Sequence, residues 1–421
     1  MGRTPANRSA STARTATQTS VGSPLPRPRL RSVGMTSLPR VVFLTDIVTP
    51  YTVAVLSALA ERVHLVALFC AQTGTRGAEW VFDKPFPFRH RVLGGFAIRR
   101  RTPDAADLYP TPRIFRALTQ ERPAAMISGA FSFPSAYAAA YGRLSGARLV
   151  IHSDGTSFSE RHLSRTQRLA RGVLLRQATV CVGNSAPAAA RFVELGAARD
   201  RVFCAPHSTN VAPLHAVARE RFDARPSDGR LTVLHVGRLI PRKGVDRLLR
   251  AVAVARRDAS LRLVLAGSGP EEARLRRLAE ALDIEADVEF RGFIDQPALP
   301  AAYAEADVFA FPTLDDPFGI VVLEAAASGL PIIGSPFGGA ISDLVEDGDS
   351  GFVLDPDDTA AWAHALVVLA HDAELRRRLG KRAHAATLAR TPENTANGYA
   401  AAVQAALRLR GPATRERRDA P

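Results

Sequence analysis

The sequence predicts an α/β protein of two doubly wound, Rossmann-like parallel sheets facing each other across a cleft. Three observations predict it. From Arg40 onward, continuous apolar runs of strand length alternate with helical stretches, the pattern of parallel strands covered on both faces. The alternation runs twice, interrupted by the polar stretch HAVARERFDARPSDGR. The 421 residues are also enough for two domains, each with its own core.

Taken in order, residues 1–39 are rich in Ser, Thr, Pro, Ala and Arg without apolar periodicity, so a disordered basic leader is expected. It lacks the apolar run of a secretory signal. Met35 just before the first strand makes a start there an alternative, leaving residues 1–34 untranslated; an organellar address ranks lower. The first domain is expected over 40–212. Its strands are RVVFLT, VHLVALF, PAAMIS, ARLVIHS, ATVCVG and RVFCAP. Pro50 opens a helix through Leu59, and further helices fall near 111–121, 133–145, 161–176 and 186–196. The polar stretch makes 213–230 a linker. The second domain, 231–390, has strands LTVLHVG, LRLVLAG, DVEFRGF, DVFAFP and LPIIG. Helices follow Lys243, Pro270, Pro297, Gly319 and Gly338, and more run through 358–388. A long Ala-rich helix at 391–410 is expected to pack back across the first domain, before a disordered tail at 411–421.

A hydrophobic fraction of 46% and a charged fraction of 23% are those of a globular protein. No apolar run approaches the roughly 20 residues that span a bilayer. The three cysteines, Cys70, Cys181 and Cys204, are far apart and without CxxC spacing. That argues against a disulfide framework or a zinc site and suits a reducing cytoplasm. The net charge of +14 is uneven: +7 in residues 1–40, +10 in 41–215, −6 in 216–407 and +3 in 408–421. A basic first half predicts an anionic neighbour, nucleic acid or an anionic membrane surface. No nucleic-acid recognition motif accompanies the charge, so no nucleic-acid partner is expected.

The chemistry concentrates in DDPFGIVVLEAAASGLPIIGSPFGG, residues 315–339. Asp316 and Glu324 lie eight positions apart, and the run from Ile320 to Ala327 is apolar except for Glu324, which predicts a buried helix. Pro317, Phe318 and Gly319 form the turn into it, since Pro suits a first helical turn. The free N–H groups at Phe318–Ile320 would attract an anion such as phosphate. A carboxylate on either side can hydrogen-bond sugar hydroxyls, so the stretch suits a sugar-nucleotide site. In HVGRLIPRKG, Gly237, Arg238 and Lys243 follow a strand end. Arg grips phosphate bidentately and Lys adds a mobile charge, a pair suited to a diphosphate leaving group. LVLAGSGPEEARL is a further strand, turn and helix, with Gly267 and Gly269 permitting close backbone approach. Glu272 stands where a dinucleotide fingerprint needs its third Gly.

Together GRLxxxKG, GSGP, FRGF, an acid eight residues before Glu, and GLPIIGSPFGGAISDLVEDGDSGF resemble glycosyltransferase family 4, the retaining sugar-nucleotide transferases of GT-B fold, also called glycosyltransferase group 1. The resemblance is strong over 231–356 and looser over 40–215. It implies a hexosyltransferase that keeps the anomeric configuration, in cell-envelope, exopolysaccharide or glycolipid synthesis. Arg238 and Lys243 would hold the donor diphosphate and Glu324 the ribose hydroxyls. Asp316 would contact the transferred sugar beside the Phe318 and Gly319 backbone. Gly292, Phe293 and Ile294 would sit by the base, and His152, at the end of ARLVIHSD, would face the sugar from the first domain. Three stretches depart from the family pattern. Asp316 stands for the commoner Glu, DIVTPYT lacks the glycine pair many members carry, and APHSTN at 205–210 stands where the family often reads PNG and an acid.

The implied partners are a UDP- or GDP-sugar as co-substrate and a lipid-linked or glycan acceptor, with peripheral contact to anionic membrane. The expected place is the cytoplasm, at the inner face of the cell membrane. No cofactor or metal is expected, because Arg and Lys would neutralise the diphosphate. The acids at Asp315, at 347–349 and at 357–358 are expected to be turn residues. The alternatives are a sugar-nucleotide epimerase or phosphorylase of the same fold and, ranked below them, a nucleic-acid-binding protein.

Overall fold

Apolar runs bury best as parallel strands when helices cover both faces of a sheet, and that is how both halves of the chain fold. The computed structural model describes residues 38–72, 85–94, 97–98, 108–223 and 229–409. The leader and tail expected at 1–39 and 411–421 lie outside the described residues, save Leu38 and Pro39.

The first lobe comprises β1 (Arg40–Ile47), α1 (Pro50–Ala60), β2 (His64–Ala71), β3 (Arg89–Val92), α2 (Arg113–Glu121), β4 (Ala125–Gly129) and α3 (Phe133–Ser145), then β5 (Arg148–Ser153), α4 (Arg165–Leu175), β6 (Val180–Gly183), α5 (Ala186–Glu194) and β7 (Val202–Cys204). Helix α6 (Ala212–Asp223) leads into the second lobe. That lobe has β8 (Leu231–Val236), α7 (Val245–Ala255), β9 (Leu261–Ala266), α8 (Glu272–Ala281), β10 (Val288–Gly292), α9 (Leu299–Glu305) and β11 (Val308–Phe311). It continues with α10 (Ile320–Ala327), β12 (Ile332–Gly334), α11 (Gly339–Leu344), β13 (Gly351–Val353), α12 (Thr359–His371) and α13 (Ala373–Thr387). Helix α14 (Pro392–Arg408) ends the described chain.

The first sheet has the order β3-β2-β1-β4-β5-β6-β7 and the second β10-β9-β8-β11-β12-β13. Strand pairs are parallel throughout, with Val42 opposite both Val66 and Met126 in the first sheet and Leu234 opposite Val264 and Phe309 in the second. In both, strand order reverses beside the first strand of the lobe. Such a reversal leaves a crevice at the carboxyl ends of the strands, where open α/β sheets bind ligands. The reversals lie between β1 and β4 and between β8 and β11.

Helix α14 packs on the first sheet. Its Ala396, Tyr399, Ala402 and Val403 join Val41, Phe43, Ile127 and Val150 in one buried cluster. Gly398 permits the approach: a Cβ there would lie 2.6 Å from the Cys204 carbonyl oxygen.

Much of the linker expected at 213–230 is helical. Residues 212–223 form α6, which docks on the second lobe through buried Leu214 and Ala218. Arg221 reaches carbonyl oxygens at the ends of α9 and α10, Tyr303 at 2.7 Å, Ala306 at 2.7 Å and Ser328 at 3.1 Å. The stretch reads as polar because its Arg satisfies helix-end carbonyls rather than water. Strands β3 and β13 were not expected either. They are short, and every residue of β3 is exposed.

Candidate active site

The floor of the site is the second lobe at its strand-order reversal. Beyond β8 and β9 the chain runs on as two adjacent turns, joined by Gly237 N–H to Ala266 O at 2.9 Å and Leu239 N–H to Ser268 O at 2.9 Å. A Cβ on Gly267 would lie 1.8 Å from Gly237 O, and one on Gly269 2.2 Å from Leu239 O. Only glycine allows turns this close. They set Arg238 on the wall of a cavity of about 510 Å³ between the lobes.

Lys243 crosses from the β8 turn to the loop after β11, where its ammonium pairs with Asp316 Oδ2. These side chains are 11% and 12% exposed. Asp316 Oδ1 accepts from Phe318 N–H at 3.3 Å. Arg242 braces the same loop, donating to Asp315 O at 2.8 Å. Burial alone would raise the Asp316 carboxyl, but Lys243, Arg242 and the Phe318 N–H hold it below its ordinary value.

Gly319, at φ +91°, is the N-cap of α10. A Cβ there would meet Phe311 Cζ at 2.6 Å, so the helix tip sits hard against β11. Glu324, a little over one turn into α10, is 5% exposed. Its Oε2 accepts from the buried Tyr303 hydroxyl at 2.9 Å. Burial pushes Glu324 up to about 7, and the Tyr303 hydrogen bond opposes that rise.

The roof comes from the first lobe: Pro50 and Tyr51 at the start of α1, Asp154 after β5 and His207 after β7 all line the cavity. The His207 ring lies 4.5 Å from that of Phe318. Its Nε2 is buried with no hydrogen-bond partner, and burial followed by the Arg390 charge pushes it down to about 4.

Of the residues singled out in the sequence, Gly237, Arg238, Lys243, Gly267, Gly269, Phe293, Ile294, Asp316, Phe318, Gly319, Ile320 and Glu324 line this one cavity. Gly292, Pro317 and His152 are not on its wall. His152 stands behind it, with Nδ1 3.1 Å from both Asn184 Oδ1 and the Tyr399 hydroxyl. Its Nε2 is buried without a partner, and burial pushes the ring down to about 4. Sequence reasoning missed Tyr51, Asp154, His207, Arg242 and Gln296 on the wall, and Tyr303 behind Glu324. His207 had left a signal, since it lies in the aberrant APHSTN stretch.

The lobes also touch beside the cavity. Phe158 stacks on Phe337 with centroids 4.4 Å apart and planes 6° apart. Arg161 lies 3.6 Å over the Phe158 ring and 3.5 Å from Asp315 Oδ2. Another hollow, of about 430 Å³, opens at the amino ends of β1 and β2 beside Arg40, His64 and Arg89. That is the opposite end of the sheet from the crevice where such folds bind ligands. Among the described residues, no three His, Cys, Asp or Glu side chains group as a metal site, and no helix is long and apolar enough to cross a membrane.

Residues 217–386 match the family described as glycosyl transferases group 1. A D-inositol 3-phosphate glycosyltransferase of Nocardia farcinica is 36% identical over 248 residues, covering 55% of this chain and 54% of that protein. A GDP-mannose-dependent alpha-(1-6)-phosphatidylinositol monomannoside mannosyltransferase of Mycolicibacterium smegmatis is 40% identical over 158 residues, 35% of this chain and 41% of the relative. The chain thus spans about half the length, or less, of the curated relatives it matches. Among solved structures, Anabaena Alr3699/HepE in complex with UDP aligns over 86% of this chain and 98% of its own, with a TM-score of 0.66 and 19% identity. The apo lipopolysaccharide outer core galactosyltransferase WaaB aligns with a TM-score of 0.65 and 14% identity, over 86% and 99%. These likenesses fix the fold as GT-B. On that fold, residues 217–386 form the stretch that matches the glycosyl transferases group 1 family.

Proposed function

We propose that the protein transfers a sugar from a nucleoside-diphosphate sugar to a hydroxyl acceptor, with retention of anomeric configuration. The observation that carries this reading is one cavity lined by Arg238, Lys243, the α10 tip and Glu324. Glu324 takes the ribose hydroxyls, with the base toward Phe293 and Ile294. The diphosphate crosses the α10 tip, and the sugar reaches Asp316.

Breaking the anomeric C–O bond leaves an oxocarbenium-like sugar and puts negative charge on the departing diphosphate. Arg238, Lys243 and the free N–H groups at Phe318–Ile320 stabilise that charge as it develops. Lys243 is held by Asp316, so the two side chains position each other at the cavity wall. The leaving phosphate accepts the acceptor's proton. Charge neutralisation by these cations makes a metal unnecessary.

Two relatives are named a D-inositol 3-phosphate glycosyltransferase and a phosphatidylinositol monomannoside mannosyltransferase, which supports an acceptor of that chemical class here. A polyol or glycan hydroxyl on an anionic or lipid-linked molecule suits the basic first lobe. The work is done in the cytoplasm, at the inner face of the membrane, where anionic lipid attracts that lobe. A thermal-shift panel of UDP- and GDP-sugars tests the reading, followed by Glu324→Ala with the best ligand. Product analysis with and without acceptor separates transfer from epimerisation or phosphorolysis.

A further inference from the structure

We infer that Tyr303 is a positioning residue for nucleotide binding: its hydroxyl pins Oε2 of Glu324 and leaves Oε1 to accept from a ribose hydroxyl. The inference rests on the donor reading of the cavity and adds a residue that acts only through Glu324.

Three observations carry it. Tyr303 is fully buried, and its hydroxyl donates to Glu324 Oε2 at 2.9 Å; a second acceptor, Val321 O, is 3.5 Å away. Tyr303 is itself fixed, with Arg221 Nη2 donating to its carbonyl oxygen at 2.7 Å and its ring 6.1 Å from that of Phe309. Glu324 lines the cavity and keeps 5% of its surface exposed, and its Oε1 is not among the buried, unpartnered atoms of the described residues. One carboxylate oxygen is therefore tied to the protein, and the other is left to the cavity.

A glutamate side chain has several rotatable bonds, and fixing them costs conformational entropy. Tyr303 supplies that restraint from within the protein, so the cost does not fall on nucleotide binding. The same hydrogen bond favours the carboxylate over the acid, and the carboxylate is the stronger acceptor for a ribose hydroxyl. Burial, with the Glu324 charge, raises the Tyr303 phenol well above its ordinary value, so it stays a donor. Burial also pushes Glu324 up to about 7, and Tyr303 is the group that opposes the rise. Charged groups on the elements around α10 are engaged elsewhere. Arg221 of α6 serves Ser328 O, His384 of α13 lies 2.9 Å from Ala327 O, Asp343 of α11 pairs with Arg390 and Glu305 of α9 with Arg291. Asp154, His207, Arg238, Arg242, Lys243 and Asp316 share the cavity wall with Glu324, and the last two pair with each other.

The test uses the full-length protein and titration calorimetry of free UDP and GDP from pH 6 to 9.5, so neither sugar nor acceptor is needed. Tyr303→Phe keeps the ring and removes the hydroxyl. Without that donor Glu324 should hold its proton about one to two pH units higher. Near pH 7 the variant should bind the preferred nucleotide about five- to fiftyfold more weakly than wild type, and at pH 9.5 the gap should close to within about threefold. The ligand's own titration is common to both proteins and cancels in the ratio. Tyr303→3-fluorotyrosine, a stronger donor of nearly the same shape, should move the profile to lower pH, and it serves if Tyr303→Phe does not fold. A gap of equal size at every pH, or no gap at any, would overturn the inference and leave the donor reading standing. Wild-type protein that bound neither UDP nor GDP at any pH would bring down the donor reading, and the inference with it.

Discussion

Lys243 and Asp316, 73 residues apart in sequence, form an ion pair in the wall of the interlobe cavity, with the Asp316 carboxylate also capping the approach to α10 through Phe318 N–H. Each leaves a charge without its counterion if the other is removed, so both substitutions act on the folded protein as well as on catalysis.

Lys243→Met is expected to lower kcat for donor turnover on the order of 10²–10³. It also lowers stability, because Asp316 stays buried and unpaired. Steady-state kinetics and a urea midpoint measured on the same preparation separate the two losses. A variant within threefold of wild type in kcat would remove Lys243 from the chemistry.

Glu324 gives a pH signature with a definite sign. Its folded-state value of about 7 lies above its ordinary 4.5. Below about 4.5 both states hold the proton and above about 7 neither does. Between those values the unfolded chain ionises first, so stability falls as pH rises through this window. Glu324→Gln should therefore be more stable than wild type at pH 8, by on the order of 3 kcal/mol, and should bind nucleotide far more weakly. In the wild type, ribose hydroxyls favour the carboxylate, so nucleotide affinity should weaken as pH drops below about 7. Thermal melts and titration calorimetry at pH 5.5, 7 and 8.5 check both signs.

Arg221→Ala should destabilise without touching chemistry. It strips a charged donor from the carbonyls of Tyr303, Ala306 and Ser328, a loss of about 3 kcal/mol. The urea midpoint should fall while kcat at low temperature stays near that of wild type. An unchanged midpoint would mean that α6 is not docked as described.

The stack of Phe158 on Phe337, with Arg161 over the outer face, ties the lobes together beside the site. Such an aromatic pair contributes about 1 kcal/mol beyond its area. Phe158→Ala should loosen closure and lower kcat several-fold. Small-angle scattering should show a larger radius of gyration before ligand is added. An unaltered scattering curve with unaltered kcat would contradict a role in closure.

The parallel sheets were legible because runs such as VVFL and LVLA are apolar at every position, as strands covered on both faces must be. The α10 segment was legible for a related reason. Its lone carboxylate, Glu324, is out of place in a buried helix unless it binds something. Helix α6 was not legible in the linker stretch, because Arg221 is polar in sequence yet satisfied by helix-end carbonyls. His207 was noticed only as part of a stretch that departs from a pattern. Its meaning depends on Phe318, 111 residues away, and on how the lobes meet. The contacts of Phe158 and Arg161 with the second lobe were invisible for the same reason, since periodicity reports which face of an element is buried, not what covers it.

Titration calorimetry of UDP and GDP, each free and sugar-linked, into wild-type, Arg238→Ala and Glu324→Ala proteins bears most directly on the interlobe cavity as a donor site. One nucleoside diphosphate should bind the wild type with a micromolar Kd, and each substitution should weaken it by at least about tenfold. Binding of neither, or binding that ignores both substitutions, would contradict the account.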